Sequence, residues 1–371
     1  MKVVFRTDAS LDIGIGHVMR CLTLADALRV KDATCRFVCR AHPGALIDLI
    51  RQRGFKVHVL PTQQFSTKSG SREKSVAEKG LAHANWLGAD WTTDAAQTKV
   101  GVGKTAVDWL VVDHYGIDAR WEQQLRSVCH RLMVIDDLAD RPHDCDLLLD
   151  QNLDRVATDY TDLMLASCTV LAGPKYALLR PEFAALRDYS FARRVTPKLK
   201  HLLITMGGID KGNATGKVLD ALRGCPLPTD CRITVVMGPC APCLTQVRDI
   251  VTQMPWVIEV MVNVQDMAKL MADSDLAIGA AGTSAWERCC LGLPTLTMVL
   301  APNQRKSAAA LNKIGAVLLL ENRDHFAVEL HEKITLLLDS KRLEVMQQAC
   351  SSVTDGGSVT HLVTMLTNTN G

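Results

Sequence analysis

The sequence predicts an α/β protein built from two domains, each with a parallel sheet. Short runs of β-branched and apolar residues alternate along the chain with segments of helical period, a pattern typical of parallel strands joined by crossover helices. The length of 371 residues exceeds what one hydrophobic core usually supports, which predicts two domains of similar size. A charged stretch without sustained period, residues 188–198, separates the two halves. We therefore expect domains at 1–187 and 199–371, joined by a linker at 188–198.

The candidate strands are spread over both halves. Those of the first half are Val3–Arg6, Cys35–Cys39, Trp109–Asp113, Leu132–Ile135, Leu147–Leu149 and Thr169–Leu171. Those of the second half are His201–Thr205, Arg232–Met237, Val257–Val262, Asp275–Gly279, Thr295–Val299 and Val317–Leu320. The stretch from Thr62 to Thr105 is polar and rich in Ser, Thr, Lys and Gly, so we expect an excursion on the surface there, with Glu78–Leu87 as a candidate helix.

Composition and charge argue against several classes of partner. A formal net charge of +2 and an aromatic content of 5% provide neither the basic field nor the stacking surfaces that nucleic-acid binding needs. Charges at Lys2, Arg6 and Asp8 interrupt the start of the chain, and no uncharged apolar run is long enough for a membrane span. The 13 cysteines are odd in number and scattered, which is typical of reduced thiols. We expect a cytoplasmic protein without nucleic-acid or membrane partners, and the sequence indicates no oligomeric state.

The strongest local motif follows the first strand, where Gly14-Ile15-Gly16-His17 opens a segment of helical period. Two glycines two residues apart let the backbone turn sharply and come close to a ligand. The free N–H groups and the positive dipole end of the helix that begins there favour a diphosphate or a developing negative charge. Because the third glycine of a dinucleotide fingerprint is missing, the motif is weak evidence for a dinucleotide.

His17 lies in the first turn of that predicted helix, at the carboxyl end of a strand, where open α/β sheets bind their ligands. An imidazole titrates near neutral pH and accepts a proton from water, a contribution of about 10² to 10⁴ in rate. The alternative is a histidine that only hydrogen-bonds a neighbouring loop. The Gly-x-Gly context favours the catalytic interpretation.

A second glycine-rich turn follows the candidate strand His201–Thr205. Its adjacent glycines, Gly207 and Gly208, expose backbone N–H groups, and Asn213 is a candidate N-cap for the next helix. The turn predicts either a tight strand-to-helix connection or a phosphate cradle, and its likeness to the first motif favours the cradle.

A third turn, Gly279–Thr283, also ends a strand and opens a helix. Glu287 follows Ser284 by three residues, and this spacing alone favours a capping box over a carboxylate that binds ribose hydroxyls. Other motifs are interpreted as structural. Residues 101–105 resemble a phosphate-binding loop but lack its first glycine, and the acidic pairs at 144–146 and 273–275 precede strands. Asp136-Asp137 follows a strand and has no assigned role.

Six stretches spread over most of the chain carry a more specific signal than any single motif. They are VFRTDASLDIGIGHVMRC at 4–21, VVDHYGIDARWE at 111–122, DDLADRPHDCDLLLDQN at 136–152, LAGPKYALLRPEF at 171–183, TMGGID at 205–210 and GAAGTSAWERCCLGLP at 279–294. Taken together, they resemble the UDP-2,4-diacetamido-2,4,6-trideoxy-β-L-altropyranose hydrolases of bacterial pseudaminic acid synthesis. The resemblance implies the glycosyltransferase-B (GT-B) architecture, two Rossmann-like domains whose parallel sheets face each other across a cleft, with UDP held mainly by the second domain.

The resemblance also assigns roles to individual positions. It implies that His17 is the catalytic base and that Glu287 binds ribose, a role that capping does not exclude. The other implied substrate contacts are Gly14, Ile15 and Gly16 towards sugar and diphosphate, Asn152 towards the sugar, Gly207 and Gly208 at the diphosphate, and Thr283, Asn303 and Gln304 in neighbouring turns. No metal and no cofactor is implied.

The function that follows is a cytoplasmic UDP-sugar hydrolase. Water, deprotonated by His17, attacks the anomeric carbon with inversion, the C–O bond breaks and UDP leaves. The main alternative is a GT-B glycosyltransferase, which needs an acceptor, and a second alternative is a nucleotide-sugar binding protein without turnover. The sequence does not indicate which amide pattern on the sugar is read, or which surface polysaccharide or flagellin receives the product.

Overall fold

A computed structural model of the chain describes residues 1–62, 81–322 and 324–368. The described residues form two compact units. The first unit comprises Met1–Asp150, Arg155–Ala172 and residues 365–368, which are the end of the last helix, and the second comprises Gln151–Asp154 and Gly173–Thr364, which include the start of that helix. The sequence placed the boundary at 187, fifteen residues later in the chain than this division (187 − 172).

The first unit is built on a seven-stranded parallel sheet in the order β3-β2-β1-β4-β5-β6-β7. The strands are β1 Lys2–Thr7, β2 Thr34–Arg40, β3 Lys56–Leu60, β4 Val107–Asp113, β5 Cys129–Ile135, β6 Leu147–Asp150 and β7 Thr169–Ala172. Its helices are α1 Gly16–Arg29, α2 Ile47–Gln52, α3 Trp91–Val102 and α4 Ala119–Leu125, with 3₁₀ turns at Ala84–Leu87, Arg126–Val128 and Ala157–Tyr160.

The second unit is built on a six-stranded parallel sheet in the order β10-β9-β8-β11-β12-β13. The strands are β8 His201–Thr205, β9 Arg232–Met237, β10 Ile258–Val262, β11 Leu276–Ala280, β12 Thr295–Met298 and β13 Val317–Leu320. The helices are α5 Pro181–Ala185, α6 Arg187–Arg193, α7 Ala214–Leu222, α8 Leu244–Val251, α9 Met267–Asp273, α10 Ser284–Cys290, α11 Arg305–Lys313, α12 Phe326–Leu337, α13 Ser340–Ser351 and α14 Ser358–Asn368, with 3₁₀ turns at Pro174–Tyr176 and Pro302–Gln304.

In each sheet, successive strands are added first on one side of the starting strand and then on its other side. The candidate site residues lie at this reversal of the strand order. In the first unit the chain proceeds outward from β1 to β3 and returns to place β4 beside β1, with Thr7 opposite Asp113. In the second unit β11 returns to lie beside β8 in the same way. Open α/β sheets bind their ligands at such reversals, at the carboxyl ends of the strands. The motifs that begin after β1, β8 and β11 therefore all lie where ligands are expected.

The segment predicted as a linker is instead partly helical and anchored in the second unit. Residues Arg187–Arg193 form α6. The Arg187 guanidinium donates to the carbonyl oxygens of Cys290, Thr354 and Ser351, and Arg194 is buried against further carbonyl groups of the same unit. Arginines in this stretch donate hydrogen bonds to carbonyl groups of the second unit. The prediction of an exposed linker failed because it took these charges as a sign of exposure to solvent.

The expected surface excursion at 62–105 is also only partly correct. Residues 63–80, which include the start of the candidate helix Glu78–Leu87, lie outside the described residues, and Ala84–Leu87 is a 3₁₀ turn. The helix α3 belongs to the core of the first unit. Its buried Asp94 accepts hydrogen bonds from Arg6 Nη2 at 2.7 Å, from Arg40 Nη2 at 2.5 Å and from Trp121 Nε1 at 2.9 Å. These buried ion pairs fix α3 against β1 and β2.

His114 extends this buried network and gives it a pH dependence. Its Nδ1 accepts a hydrogen bond from the Gly116 N–H, and its Nε2 lies 3.5 Å from a carboxylate oxygen of Asp8, which is itself paired with Arg6. Burial lowers the pKa of His114 from 6.5 to about 3, although the charge of Asp8 opposes the shift. The imidazole is therefore neutral in the folded protein at neutral pH.

Acidification should destabilise the first unit through His114. Between pH 6.5 and about 3 the unfolded chain carries a proton on this residue that the folded chain does not, so the free energy of unfolding should fall as the pH is lowered. The slope for one proton is about 1.4 kcal/mol per pH unit. We expect His114→Asn, which keeps an acceptor for Gly116, to flatten the dependence above pH 5, where carboxylates contribute little. Pulse proteolysis in urea, read on peptides of the first unit, measures this; equal slopes for variant and wild type would contradict it.

Candidate active site

The centre of the candidate site is a hydrogen-bonded pair of His17 and Asp113. His17 is the second residue of α1, and Asp113 is the last residue of β4, the strand beside β1. His17 Nδ1 lies 2.5 Å from Asp113 Oδ1. Because an ionised carboxylate only accepts hydrogen bonds, Nδ1 carries the proton and Nε2 is left with its lone pair. This is the arrangement that makes an oriented imidazole a general base.

The charge of Asp113 is held in place by Arg20, one turn further along α1. Arg20 Nε donates to Asp113 Oδ2 at 2.6 Å, and Arg20 Nη2 donates to Oδ1 at 2.7 Å, which is a two-point pair. Asp113 is completely buried, and burial alone would raise its pKa. The positive charge of Arg20 and the contact with His17 outweigh burial and hold the pKa of Asp113 well below its usual range. The carboxylate is therefore ionised at neutral pH.

A second carboxylate, Asp137, steadies the same arginine. Its Oδ2 accepts from Arg20 Nη1 at 2.7 Å and from the Tyr115 hydroxyl at 2.6 Å. Burial and the neighbouring Asp137 raise the pKa of Tyr115 well above its usual value, so the hydroxyl stays protonated and donates. Asp137, left without a role by the sequence, thus belongs to the site. Its neighbour Asp136 does not, since it pairs with Arg141 and accepts from Tyr160.

The His17 ring is nearly enclosed but not sealed. Its side chain is 9% exposed, and its Nε2 is not among the buried polar atoms that lack a partner in the described part of the chain. The ring stands edge to face against Tyr115, with centroids 4.5 Å apart, and against Trp86 at 6.4 Å. Solvent therefore reaches only a small part of the imidazole.

The loop before α1 has the shape that the glycine motif predicts. The Ser10 hydroxyl accepts from the N–H groups of Asp12 and Ile13, and the Gly14 N–H donates to the Ser10 carbonyl at 2.9 Å. Gly14 has φ +82°, a conformation that disfavours other residues. Gly14, Ile15 and Gly16 are all half-buried, and the first turn of α1 that follows has no side-chain cap. Its N–H groups are therefore directed towards a ligand or solvent.

In the second unit, the turn after β8 is built by two capping side chains. Asp210 accepts from the N–H groups of Ala214 and Thr215, and Asn213, the predicted N-cap of α7, accepts from Gly216. Gly207 has φ +87°, and the Gly208 carbonyl approaches so closely that a Cβ at Gly238 would lie 1.9 Å from its oxygen. Both predicted glycines thus lie in a constrained turn at the reversal point of the second sheet.

The capping-box interpretation of Glu287 is wrong. The N-cap of α10 is Thr283, so the third helical residue is Trp286 and Glu287 comes one position too late for the box. The Ser284 hydroxyl instead contacts Arg288 Nη1 at 3.1 Å. The Glu287 side chain is 22% exposed and lies 3.9 Å from Arg180 Nη2. Its partial burial raises its pKa, whereas the Arg180 charge acts in the opposite direction. The carboxylate is thus available for a ligand.

The remaining predicted residues of the second unit lie on or near α11. Asn152 Oδ1 accepts from the Ser307 hydroxyl in the first turn of α11 at 2.6 Å. Gln304 Oε1 accepts from the Leu300 N–H, and its Nε2 lies 3.8 Å from where a Cβ on Gly282 would be. Asn303 is half-buried in the same turn. Gln304 therefore lies beside the turn that precedes α10.

Several residues of the site were not identified from the sequence. Asp113, Arg20 and Tyr115 complete the His17 centre, and Arg180 Nη2 lies 3.9 Å from the Glu287 carboxylate. A carboxylate that ends an apolar strand is a usable signal for Asp113, since the same signal drew attention to Asp136-Asp137. Arg20 lies one helical turn after His17 on the same face of α1, which is also recognisable. Arg180 carries no local signal.

Within the described ranges, no three His, Cys, Asp or Glu side chains converge in a way that would ligate a metal ion. None of the helices in those same ranges combines the length and apolar character needed to cross a lipid bilayer. All thirteen cysteines are free thiols, ten of them buried.

The chain is similar in sequence and in fold to several known proteins. Residues 231–358 match the glycosyltransferase family 28 C-terminal domain. A UDP-2,4-diacetamido-2,4,6-trideoxy-β-L-altropyranose hydrolase of Campylobacter jejuni is 27% identical over 316 residues, 85% of this chain and 97% of that protein. An uncharacterised protein of Methanocaldococcus jannaschii is 25% identical over 82% of this chain, which spans only 57% of that protein. The crystal structure of MurG from Acinetobacter baumannii superposes with a TM-score of 0.66 over 99% of both chains, at 16% identity.

Two parallel sheets with these matches define the class of the protein. The chain has the GT-B fold. Its residues 231–358 are similar to the C-terminal domain of glycosyltransferase family 28.

Proposed function

We propose that the protein hydrolyses a UDP-sugar by inverting attack of water at the anomeric carbon. The observation that carries the proposal is the His17–Asp113 pair, 2.5 Å apart, in which Asp113 fixes the tautomer and Nε2 is left as the only free nitrogen of the ring. A base that keeps only 9% of its side-chain surface exposed suits a small nucleophile, and water is the smallest available.

The chemistry assigned to these residues is general base catalysis. Water donates a proton to His17 Nε2 as its oxygen attacks the anomeric carbon, and the bond from that carbon to the diphosphate oxygen breaks, with the electron pair leaving on UDP. Asp113 stabilises the imidazolium that forms. The charge growing on the diphosphate is met by N–H groups at glycine turns and by the positive end of α1, which supply electrostatic stabilisation of the leaving group.

The nucleotide is assigned to the second unit. We propose that Glu287 accepts hydrogen bonds from the ribose hydroxyls and that Gly207, Gly208 and Thr283 offer N–H groups to the diphosphate. Gln304 and Asn303 lie in the turn next to Gly282 and are assigned to the same ligand. On the sugar side, Gly14, Ile15, Gly16 and Asn152 are the proposed contacts.

The specific substrate is proposed from the Campylobacter relative. The similarity to that hydrolase extends over 97% of its length, which supports UDP-2,4-diacetamido-2,4,6-trideoxy-β-L-altropyranose as the substrate and pseudaminic acid synthesis as the process. A glycosyltransferase is the second candidate, because the match of residues 231–358 is to a glycosyltransferase domain and the fold is shared with MurG.

One assay separates the two candidates. The purified protein is incubated with this UDP-sugar and no acceptor, and proton NMR follows the release of UDP and the first anomer of the free sugar. We expect stoichiometric UDP and an inverted anomeric configuration. A transferase would release little UDP until an acceptor is added, and a binding protein would release none under either condition.

Removing the Glu287 carboxylate should weaken nucleotide binding. A charged acceptor lost from a pair of ribose hydroxyls costs about 1.5 to 3 kcal/mol, or roughly tenfold to a hundredfold in Kd. We expect this loss for Glu287→Ala in calorimetric titration with UDP alone, and a smaller loss for Glu287→Gln. Glu332, exposed on α12 of the same unit, is the control, and its alanine variant should bind UDP like the wild type. An unchanged Kd in Glu287→Ala would remove this residue from the binding site.

A further inference from the structure

Three aromatic side chains of the first unit stand together at the His17 ring. Trp86 and Tyr115 are nearly parallel, with centroids 5.7 Å apart and an interplanar angle of 23°, and His17 is close to perpendicular to both. His83 completes the group, 4.4 Å from Trp86 and 5.5 Å from Tyr115. We call Trp86, Tyr115 and His83 the aromatic wall. Trp86 belongs to the 3₁₀ turn Ala84–Leu87, which does not directly follow any of the strands predicted from the sequence.

The turn that carries Trp86 is firmly seated. Leu87 is buried in the core of the first unit, Gly88 ends the turn with φ +66°, and Asp90 caps α3 by accepting from the Thr93 N–H. On the other side, a Cβ at Gly116 would come within 2.9 Å of the His83 carbonyl oxygen. The 83–87 turn is thus held directly against the Tyr115–Gly116 loop beside the catalytic pair.

The aromatic wall bears on the choice of nucleophile. A histidine base with an open Nε2 deprotonates an alcohol as readily as water, because the two hydroxyl groups have similar acidity. What differs is size, and the His17 side chain keeps only 9% of its surface exposed. The Trp86 side chain contacts the His17 ring and is itself half-exposed, so it lies between part of that ring and solvent.

We propose that Trp86 selects the nucleophile by restricting access to His17 Nε2 to water and excluding alcohols. The inference rests on the proposed hydrolysis and extends it to the residue that keeps the reaction a hydrolysis. In a variant with the indole removed, an alcohol would donate its proton to Nε2 while its oxygen bonds to the anomeric carbon. The bond to the diphosphate oxygen would break with its electron pair on UDP, and the product would be an alkyl glycoside in place of the free sugar.

The first arm of the test measures product choice. Wild type, Trp86→Leu and Trp86→Phe are incubated with the UDP-sugar in the presence of methanol, and NMR gives the ratio of methyl glycoside to free sugar. We expect Trp86→Leu to raise this ratio by about tenfold, the order that a change in pocket volume produces in discrimination, and Trp86→Phe to raise it less. Trp256→Leu, a half-exposed tryptophan of the second unit, should leave the ratio unchanged.

The second arm measures access to His17 without any substrate. Diethyl pyrocarbonate modifies accessible imidazoles, and the tryptic peptide from Thr7 to Arg20 contains His17 as its one histidine. We expect the rate of modification of this peptide to rise several-fold in Trp86→Leu and to stay at the wild-type value in Trp256→Leu. Circular dichroism is used to check that each variant is folded. If Trp86→Leu does not fold, Trp86→Phe takes its place in both arms of the test.

The outcomes separate this inference from the proposed function. A wild type that releases no UDP refutes the hydrolase, whereas the modification arm still decides whether Trp86 limits access. Faster modification with an unchanged product ratio overturns the selection of the nucleophile. A raised KM for the UDP-sugar with an unchanged product ratio assigns Trp86 to sugar binding and overturns it as well.

Discussion

Replacing His17 by alanine should lower kcat by roughly 10² to 10⁴-fold, the usual contribution of a general base. The variant should still fold, because Asp113 keeps its two-point pair with Arg20 when the imidazole is removed. Binding of UDP should be unchanged, since the proposed nucleotide contacts lie in the second unit. The measurement is kcat from UDP release, together with the Kd for UDP.

A matched control is His130→Ala, which removes an exposed imidazole from β5 of the same unit. We expect it to keep the wild-type kcat. Wild-type turnover in His17→Ala would exclude this residue as the base, and a parallel loss of UDP binding would indicate a structural defect.

Replacing Asp113 by asparagine should have the second largest effect, a fall in kcat of roughly 10² to 10⁴-fold. In the native protein Arg20 donates to both carboxylate oxygens and His17 Nδ1 contacts one of them. In the variant the amide oxygen is drawn to Arg20, so the NH₂ group faces the imidazole. His17 then carries its proton on Nε2, the nitrogen that has to accept one. The KM should change little, since Asp113 is buried and does not reach the substrate.

Asp144→Asn is the control for this variant, because Asp144 also pairs with an arginine, Arg126, but away from the site. It should keep the wild-type kcat. If Asp113→Asn were as active as wild type at every pH, Asp113 would not orient the base. If the loss appeared only in the free energy of unfolding, its role would be to neutralise Arg20.

Much of the fold follows from local sequence. Buried parallel strands are continuous apolar runs, and the candidate strands such as Trp109–Asp113 and His201–Thr205 coincide with β4 and β8 within a few residues. The strand β3 was missed because Lys56 and His58 alternate with apolar residues, as suits a half-exposed strand at the edge of the sheet. The order of strands, by contrast, depends on long-range pairing that no local pattern specifies.

The same difference between local and long-range information explains which site residues were identified from the sequence. His17 was identified because the glycines that shape its loop are adjacent in sequence. Asp113 was not, because its proximity to His17 depends on β4 pairing with β1 across about a hundred residues (113 − 17 = 96). Trp86 lies at the end of a polar stretch, and nothing local shows that it would reach the catalytic pair. The capping role predicted for Glu287 failed by one residue, since helix α10 begins at Ser284 and not after it.

The central claim is that an imidazole fixed by Asp113 directs water to the anomeric carbon. Hydrolysis of the UDP-sugar in isotopically labelled water, followed by mass spectrometry of both products, tests it most directly. We predict that the heavy oxygen enters the free sugar and that UDP stays unlabelled. The reaction is sampled early, because the anomeric oxygen of the free sugar later exchanges with the labelled water. Heavy oxygen in UDP would mean that the P–O bond breaks, and it would contradict the mechanism.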